Sequence, residues 1–382
     1  MNRRVGIVGI GTTGFRATTP DVSFRELTYE AAVKAYVDAG VEPKDIGGFI
    51  STAEDFAEGY SIADEYSPDQ LGAVLKPIHT VPGDFLQSLA NGVMWILSGD
   101  ADIVAVQGLS KASNMLNHNE MHTFAFDPLF GRQLRESPYF VGGLEMSRFM
   151  HETGTTRAQC AEVVVRNRRN ALDNPRANHG CVLEVDQVLA SEPVSEPLRR
   201  LDIAQTSDGA FVAVLASEDA AKSLRRDPIW IRGVGWAVET PNLETRTWGS
   251  AKYATIAAKM AYKQAGIRSP RTEIDFFEVN DLMSYKQLQH LVALGVFDPA
   301  EVGHAIANGV MDKSGDTPVN ISGGALGMGH TLELDGGQRL LELVLQLRGE
   351  AGTSQLAGVN TGLACAWRGI PTTTGAVAVL SN

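Results

Sequence analysis

The chain of 382 residues is too long for one ordinary core and implies two or three packed units. Its 44% hydrophobic and 20% charged residues are globular proportions, which excludes disordered, collagen-like and coiled-coil classes. With 33 basic against 45 acidic side chains the net charge is −12, a surface that repels phosphate backbones, so no nucleic-acid partner is expected.

The N-terminus enters a β-branched run at residues 4–9 at once, without the basic, apolar and small-residue succession of a leader. The longest apolar stretches (residues 91–97 and 375–380) fall far short of the roughly 18 residues that cross a bilayer. A cytoplasmic protein without membrane association is expected. Three cysteines (Cys160, Cys181, Cys365) are too few for a disulfide framework and lack a CxxC metal spacing, so no metal is expected in this chain.

The first strand runs into Gly9-Ile10-Gly11-Thr12-Thr13-Gly14. A dinucleotide fingerprint needs a helix opening at these glycines, whereas Pro20 intervenes and the helix pattern starts near Phe24. That helix covers residues 24–39 and is stopped by Gly40. A strand at 48–52 follows, then a polar segment at 53–75, a helix at 84–97 stopped by Gly99, and a strand at 102–108. The alternation argues for a mainly parallel, covered sheet. Residues 110–138, rich in His, Asn, Met and Phe, show no period and read as a lid or partner surface, as does the acidic stretch 54–66. Helical patterns return at 140–150 and 157–170, and a strand closes residues 201–216. The basic runs 166–169 and 199–200 read as solvated helix faces, or as counter-charges for a small anion.

The second half then repeats the first. Ala35, Tyr36, Ala39 and Gly40 recur as Ala261, Tyr262, Ala265 and Gly266, each followed by Pro, an acidic residue, Ile and a Phe-containing strand. The helix at 84–97 with its strand at 102–108 has a counterpart in a helix at 336–347 and a strand at 356–362. Two matches in the same order imply duplicated halves. Equivalent helices then start near a pseudo-dyad, and their positive ends converge on one central site.

Three stretches place reactive groups among glycines or at strand ends. In Glu278-Val279-Asn280-Asp281 a hydrophobic strand ends in polar side chains at the carboxyl edge of the sheet, where α/β folds bind ligands, although Asn280 or Asp281 also reads as a helix cap. In Ser322-Gly323-Gly324-Ala325-Leu326-Gly327-Met328-Gly329-His330 the glycines let backbone N–H groups approach a ligand and deliver His330 to a helix start. His118, His151, His290 and His304 read as structural or solvated. Cys365 follows a strand end in the same half, where a helix N-terminus or an imidazolium would lower its pKa toward neutrality, as suits a group that moves a proton at carbon.

In the order of these stretches, the chain resembles the thiolase superfamily, in particular its sterol-carrier or lipid-transfer type. The resemblance rests on the opening VGIVGIGTTGF, the AYVDAG turn, residues 97–102, Asp208-Gly209-Ala210 within LDIAQTSDGAFVAVLA, the ISGGALGMGH loop and the Cys365 segment. It implies an α/β thiolase fold of two pseudo-twofold-related βαβαβαββ halves in an α-β-α-β-α layering. Residues 1–228 would form the first half, with an inserted region at about 110–200, and residues 229–382 the second. It also implies acyl-CoA substrates, coenzyme A as substrate or product, a homodimer core, and a small zinc-ribbon/OB-fold partner as in related proteins.

By the resemblance, Asn280 falls on the asparagine that holds an oxyanion-site water, His330 on the histidine of the GH motif (with Thr331 in place of proline) and Cys365 on the acid/base cysteine. Gly323, Gly324 and Tyr253 fall on the coenzyme A side. Ala366-Trp367-Arg368 replace the usual glycines after Cys365. The acylated cysteine is missing: Val81-Pro82-Gly83-Asp84 occupies its place, and Ser88 lies a full turn inside the helix. The expected activity is thiolytic cleavage of a bulky β-keto acyl-CoA without an acyl-enzyme, as a benzoylsuccinyl-CoA thiolase-like subunit would carry out. The alternatives are retro-aldol cleavage of a β-hydroxyacyl-CoA, for which relatives carry tyrosines near the Asn280 and His330 positions, and a non-catalytic acyl-CoA-binding or scaffold subunit.

Overall fold

The GxG at the start of the chain serves packing. Strand β1 (Val5–Arg16) runs straight through it, and helix α1 (Phe24–Ala39) lies directly on the glycines. A Cβ at Gly9 would stand 2.4 Å from the Ala35 carbonyl, and one at Gly11 2.1 Å from that of Ala31. The same device recurs in the second half. Strand β8 (Ile229–Val238) presents Gly233 and Gly235 to a helix that carries Ala261 and Ala257 at 2.2 and 2.1 Å from the equivalent Cβ positions.

The computed structural model describes residues 4–54, 62–115, 122–123, 125–131, 137–225, 227–370 and 373–382; much of 110–138 and of 54–66, read above as partner surfaces, lies outside them. After β1 come β2 (Gly48–Thr52), β3 (Ile78–Val81) and β4 (Ile103–Ser110). A small hairpin of β5 (Pro193–Ser195) and β6 (Leu198–Arg199) precedes β7 (Asp208–Ser217). The second half adds β9 (Phe276–Val279), β10 (Thr361–Trp367) and β11 (Thr374–Ser381) to β8. The helices that matter for the site are α2 (Phe85–Ser98), α3 (Pro138–Thr153), α4 (Arg157–Asn170), α5 (Lys252–Ala265), α6 (Ser284–Ala293), α7 (Gly324–Met328) and α8 (Asp335–Arg348).

Nine strands form one sheet in the order β3-β2-β4-β7-β1-β8-β11-β10-β9. The two halves meet where β1 pairs antiparallel with β8 over Val5–Ile7. An isolated parallel bridge between Phe277 and Val319 stands beside β9 where β3 stands beside β2. The sheet is mixed, which corrects the mainly parallel expectation: β2–β3, β2–β4 and β9–β10 are parallel, and the other five pairs are antiparallel. The turn from Trp367 to Thr374 is too short for a crossover, so β10 and β11 must run antiparallel.

Three buried clusters give the layering. One lies between α1 and the outer face of the first half, with Ala31, Ala35, Phe49 and Val212. A central one packs α2 and α8 between the halves, with Phe85, Leu89, Phe211, Leu340, Leu343 and Ala364. The third lies under α5 and α6 and joins the inserted helices α3 and α4, with Tyr253, Leu288, Phe149, Val164 and Cys365. Both Gly40 and Gly266 end their helices in the left-handed conformation, at φ 68° and 76°, as the repeat predicts. No helix among the described residues is long and apolar enough to cross a membrane.

Candidate active site at the pseudo-dyad

The N-termini of α2 and α8 meet at one side chain. Asp84, the N-cap of α2, accepts from Leu86 N–H at 2.8 Å and, across the dyad, from Gly336 N–H of α8 at 2.9 Å. Burial pushes its carboxyl up to about 7, against those two N–H bonds. The predicted convergence of helix ends is present, and a carboxyl of the chain itself fills it.

His330 is held by its backbone. Its N–H donates to the Gln205 carbonyl at 2.7 Å, and its own carbonyl accepts from Ser207 N–H at 2.9 Å. The preceding Gly329 has φ 97°, and a Cβ there would come 1.9 Å from Ser207 Oγ, so only glycine turns the chain here. The neighbouring Asp208 accepts from Thr19 N–H (2.9 Å), Thr19 Oγ1 (2.7 Å), Ser113 N–H (2.9 Å) and Ser113 Oγ (2.5 Å), tying the loops after β1 and β4 together at this edge. Asp208, the first residue of the Asp208-Gly209-Ala210 signature, is thus a brace.

The imidazole of His330 pairs with a residue the sequence reading passed over. Its Nδ1 lies 2.8 Å from Oδ2 of Asp335, in the first turn of α8. Oδ1 of Asp335 accepts from Thr331 N–H at 2.8 Å. Burial alone would raise this carboxyl, but the His330 charge and hydrogen bond, Arg339 and the Thr331 N–H outweigh it and hold Asp335 below the ordinary aspartate range. Asp335 therefore keeps the Nδ1–H tautomer, and Nε2 is left with a lone pair and no hydrogen-bond partner among the described residues. The spacing of five from His330 was visible in the sequence, but an acidic residue at a helix start reads as a cap.

Asn280 belongs to the same cluster in a different role from the one expected. Its Nδ2 donates to Asp335 Oδ2 and to the Trp367 carbonyl, both at 3.2 Å, and its Oδ1 accepts from Leu282 N–H at 3.0 Å. With both amide hydrogens committed, the side chain orients Asp335; it has no donor left for an oxyanion water.

Cys365 packs on the other side of β10 from them, although the charges of Arg339 and Asp84 reach its thiol. It lies inside β10, between Ala364 and Ala366 on the central face, so its side chain points to the outer layer beside Tyr253, Val279 and Val377. Its backbone carbonyl accepts from Asn280 N–H at 2.9 Å, while burial pushes the thiol up to about 12, the opposite of the predicted shift toward neutrality. Cys160 is likewise buried and raised to about 12.

The proposed coenzyme A contacts are also turned inward. Gly323 and Gly324 are buried, and the glycine loop wraps Asp281: Ala325 and Leu326 donate to its carboxylate at 2.6 and 3.2 Å. A Cβ at Gly324 would stand 2.3 Å from Asp281 Oδ2. The cradle of N–H groups is present, and the carboxyl of Asp281, raised by burial, fills it. Tyr253 is buried under α6, with its hydroxyl 2.9 Å from His290 Nε2. Arg339 is the buried cation among these carboxyls, with Nη1 on the Asp335 carbonyl at 2.6 Å and Nη2 3.4 Å from Asp281 Oδ1. Of the basic runs, Arg166 pairs with Asp312 at 2.7 Å and Arg199 with Glu196 at 3.0 Å.

At the rim, Arg368 bridges Glu54 and Glu333, and His122 Nδ1 lies 3.2 Å from the Ile370 carbonyl. His122 is lowered by burial, with the charges of His330 and Arg368 acting the same way. A cavity of about 430 Å³ opens beside the backbone that holds His330, lined among others by Thr18, Tyr139, His179, Arg200, Gln205 and Thr206.

The family described as "Thiolase C-terminal domain-like" matches residues 235–382. An acetyl-CoA acetyltransferase of Methanothermobacter thermautotrophicus is 33% identical over 94% of this chain and 95% of its own length. The chain belongs to the thiolase superfamily. It is a sterol-carrier-protein-type member and an enzyme of that family, which embraces acyltransferases and aldolases. This thiolase-superfamily enzyme is also 25% identical to a 17-hydroxy-3-oxo-4-pregnene-20-carboxyl-CoA lyase of Mycobacterium tuberculosis, over 97% and 98% of the two chains. In fold it matches a solved structure described as "Ltp2-ChsH2(DUF35) aldolase" with a TM-score of 0.85 at 24% identity, over 99% of this chain and 97% of that one. Thiolase-type cleavage or formation of a carbon–carbon bond is the activity these relatives share.

Proposed function

We propose that the enzyme breaks or makes the carbon–carbon bond between Cα and Cβ of a coenzyme A thioester by proton transfer at His330, through the aldol pair of reactions. The observation that carries this is the His330–Asp335 pair, with no partner on Nε2 among the described residues, beside a helix start that bears Asp84 in place of a nucleophilic thiol. In the cleavage direction Nε2 takes the proton of the β-hydroxyl. The Cβ oxygen becomes a carbonyl as the Cα–Cβ bond breaks, and its electron pair becomes the enolate of the thioester. The imidazolium, matched by Asp335, returns the same proton to Cα. One base and one thioester suffice, and no covalent intermediate is needed. The cavity beside residues 205–206 supports a path for the thioester arm, and likeness to the solved two-component aldolase supports a partner subunit.

Thiolysis of a β-keto acyl-CoA is the second reading, favoured by the acetyltransferase relative. Without an acyl-enzyme it requires coenzyme A and the substrate thioester to bind together at one carbon. Incubating the protein with β-hydroxyacyl-CoAs, and separately with β-keto acyl-CoAs plus coenzyme A, and resolving the products by mass spectrometry separates the two. Release of a ketone or aldehyde without added coenzyme A is expected. Coenzyme A-dependent cleavage of the β-keto series alone, or an acylated protein mass, would overturn the aldol reading. Cys365→Ala should keep kcat within about threefold, since its sulfur lies in the outer layer.

A further inference from the structure

Behind the site, under the outer layer of the second half, lies a charged cluster that the reaction above does not use. Glu145 of α3, Arg246, Tyr253 of α5 and Tyr285, Lys286, Gln289 and His290 of α6 are all buried. Glu145 accepts from Lys286 Nζ at 2.9 Å, from Tyr285 Oη at 2.9 Å and from Arg246 at 3.4 Å. Lys286 also donates to Gln289 Oε1 at 2.8 Å and to the Tyr253 hydroxyl at 3.3 Å. That hydroxyl is 2.9 Å from His290 Nε2, and His290 Nδ1 is 3.0 Å from the backbone carbonyl of Asn280.

The ends of this chain fix every direction within it. A carbonyl can only accept, so Nδ1 carries the hydrogen and Nε2 holds the lone pair; Nε2 then accepts from the Tyr253 O–H, whose oxygen accepts from the ammonium of Lys286. Burial, then the Lys286 cation, push His290 down to about 3, so the ring is neutral at any working pH. The same ammonium lies 3.9 Å from the ring centroid of Trp367, whose carbonyl holds the Asn280 amide. Both the peptide and the side chain of Asn280 are thus fastened from the outer layer. Buried charges are a poor source of stability when an apolar core would serve, which points to orientation as what the cluster supplies.

We propose that His290, Tyr253 and Lys286 are positioning residues that fix Asn280 and, through its amide, the carboxylate of Asp335 behind His330. Glu145 comes from the inserted region, so docking of that region on the second half is built into the alignment of the acid/base pair. The inference rests on the reading of His330 given above, and its test has an arm that does not.

The full-length protein with His290→Phe, which keeps a ring but no donor, should lose about tenfold or more in kcat with KM within twofold. His290→Asn, whose amide can still reach the Asn280 carbonyl, should recover most of that loss. In an Asp335→Asn background, His290→Phe should add less than twofold, because both act through one carboxylate. A full-strength loss in that background, or a change in KM alone, would overturn the proposal. Tyr253→Phe removes one hydroxyl and keeps the packing, and serves if the histidine variants fold poorly; unchanged kcat there would also overturn it. The tautomer is read without substrate from the imidazole ¹⁵N shifts: Nδ1–H for His290 in the wild type and in Tyr253→Phe, with the Nε2 shift of the variant moving to that of a nitrogen that accepts no hydrogen bond. An Nε2–H tautomer in the wild type sinks the proposal whatever the reaction, whereas failure of both thioester classes to react sinks the reading of His330 instead.

Discussion

Asp335 is the residue on which the chemistry turns. Its two oxygens receive His330 Nδ1, Asn280 Nδ2, Thr331 N–H and Thr331 Oγ1, so all of its surroundings are donors. An asparagine must place an NH₂ against one of these pairs. If it faces His330, the imidazole gives up Nδ1–H, the hydrogen moves to Nε2, and the lone pair that takes the substrate proton is lost. Asp335→Asn should therefore lower kcat by about three orders of magnitude while leaving the fold recognisable by circular dichroism, as expected for a histidine driven into the wrong tautomer. Steady-state kinetics on the reacting thioester decide it; a loss under tenfold would mean that Asp335 only caps α8. The same logic explains why Cys365 misled the sequence reading. All of β10 from Gly362 to Trp367 is buried on both faces, so no polar alternation marks which side a residue points to.

At the scale of elements, the junction of α2 and α8 depends on Asp84. It caps its own helix through Leu86 N–H and satisfies Gly336 N–H of the other. Losing an N-cap costs about 1 kcal/mol, and leaving a buried N–H unpaired costs about 1–3 kcal/mol more. Asp84→Ala should thus destabilise the enzyme by about 2–4 kcal/mol in urea unfolding, well beyond an exposed cap; a cost under 1 kcal/mol would show the two helices to be independent. These helices were legible because glycine punctuates them: the left-handed Gly40, Gly99, Gly266 and Gly349 end α1, α2, α5 and α8 where the sequence reading stops them, to within a residue. The strand expected at residues 356–362 was misplaced for a matching reason. Leu356 and Val359 are apolar because they pack on the central layer from a loop, and β10 begins only at Thr361. The parallel expectation failed because alternation of strand and helix says nothing about which strands become neighbours: β1 inserts between β7 and β8, β11 pairs with β8 across most of the second half, and β10 turns into β11 without a crossover.

At the scale of the whole molecule, duplication brings more carboxyls than cations to the dyad. Asp84, Glu278, Asp281 and Asp335 are buried around Arg339, and this crowding was invisible in the sequence because its members come from α2, β9, the loop after β9 and α8. Glu278 shows the consequence most simply. Its carboxyl receives Ser322 N–H at 3.1 Å and lies 2.6 Å from Ser322 Oγ, and burial raises it to about 8, with Ser322 opposing and Glu342 adding to the rise. A carboxyl whose folded pKa exceeds its unfolded value of 4.5 binds more protons in the folded state between about pH 5 and 8. Its contribution is therefore fully present at low pH and is lost as pH rises through that window. Glutamine keeps the shape, accepts from Ser322 N–H, donates to its hydroxyl and cannot ionise. Glu278→Gln should match the wild-type Tm near pH 5 and exceed it at pH 9, the gap opening between pH 5 and 8. Thermal melts of both proteins across that range check it. Parallel curves would mean that Glu278 is ionised throughout and that the central layer tolerates its charge.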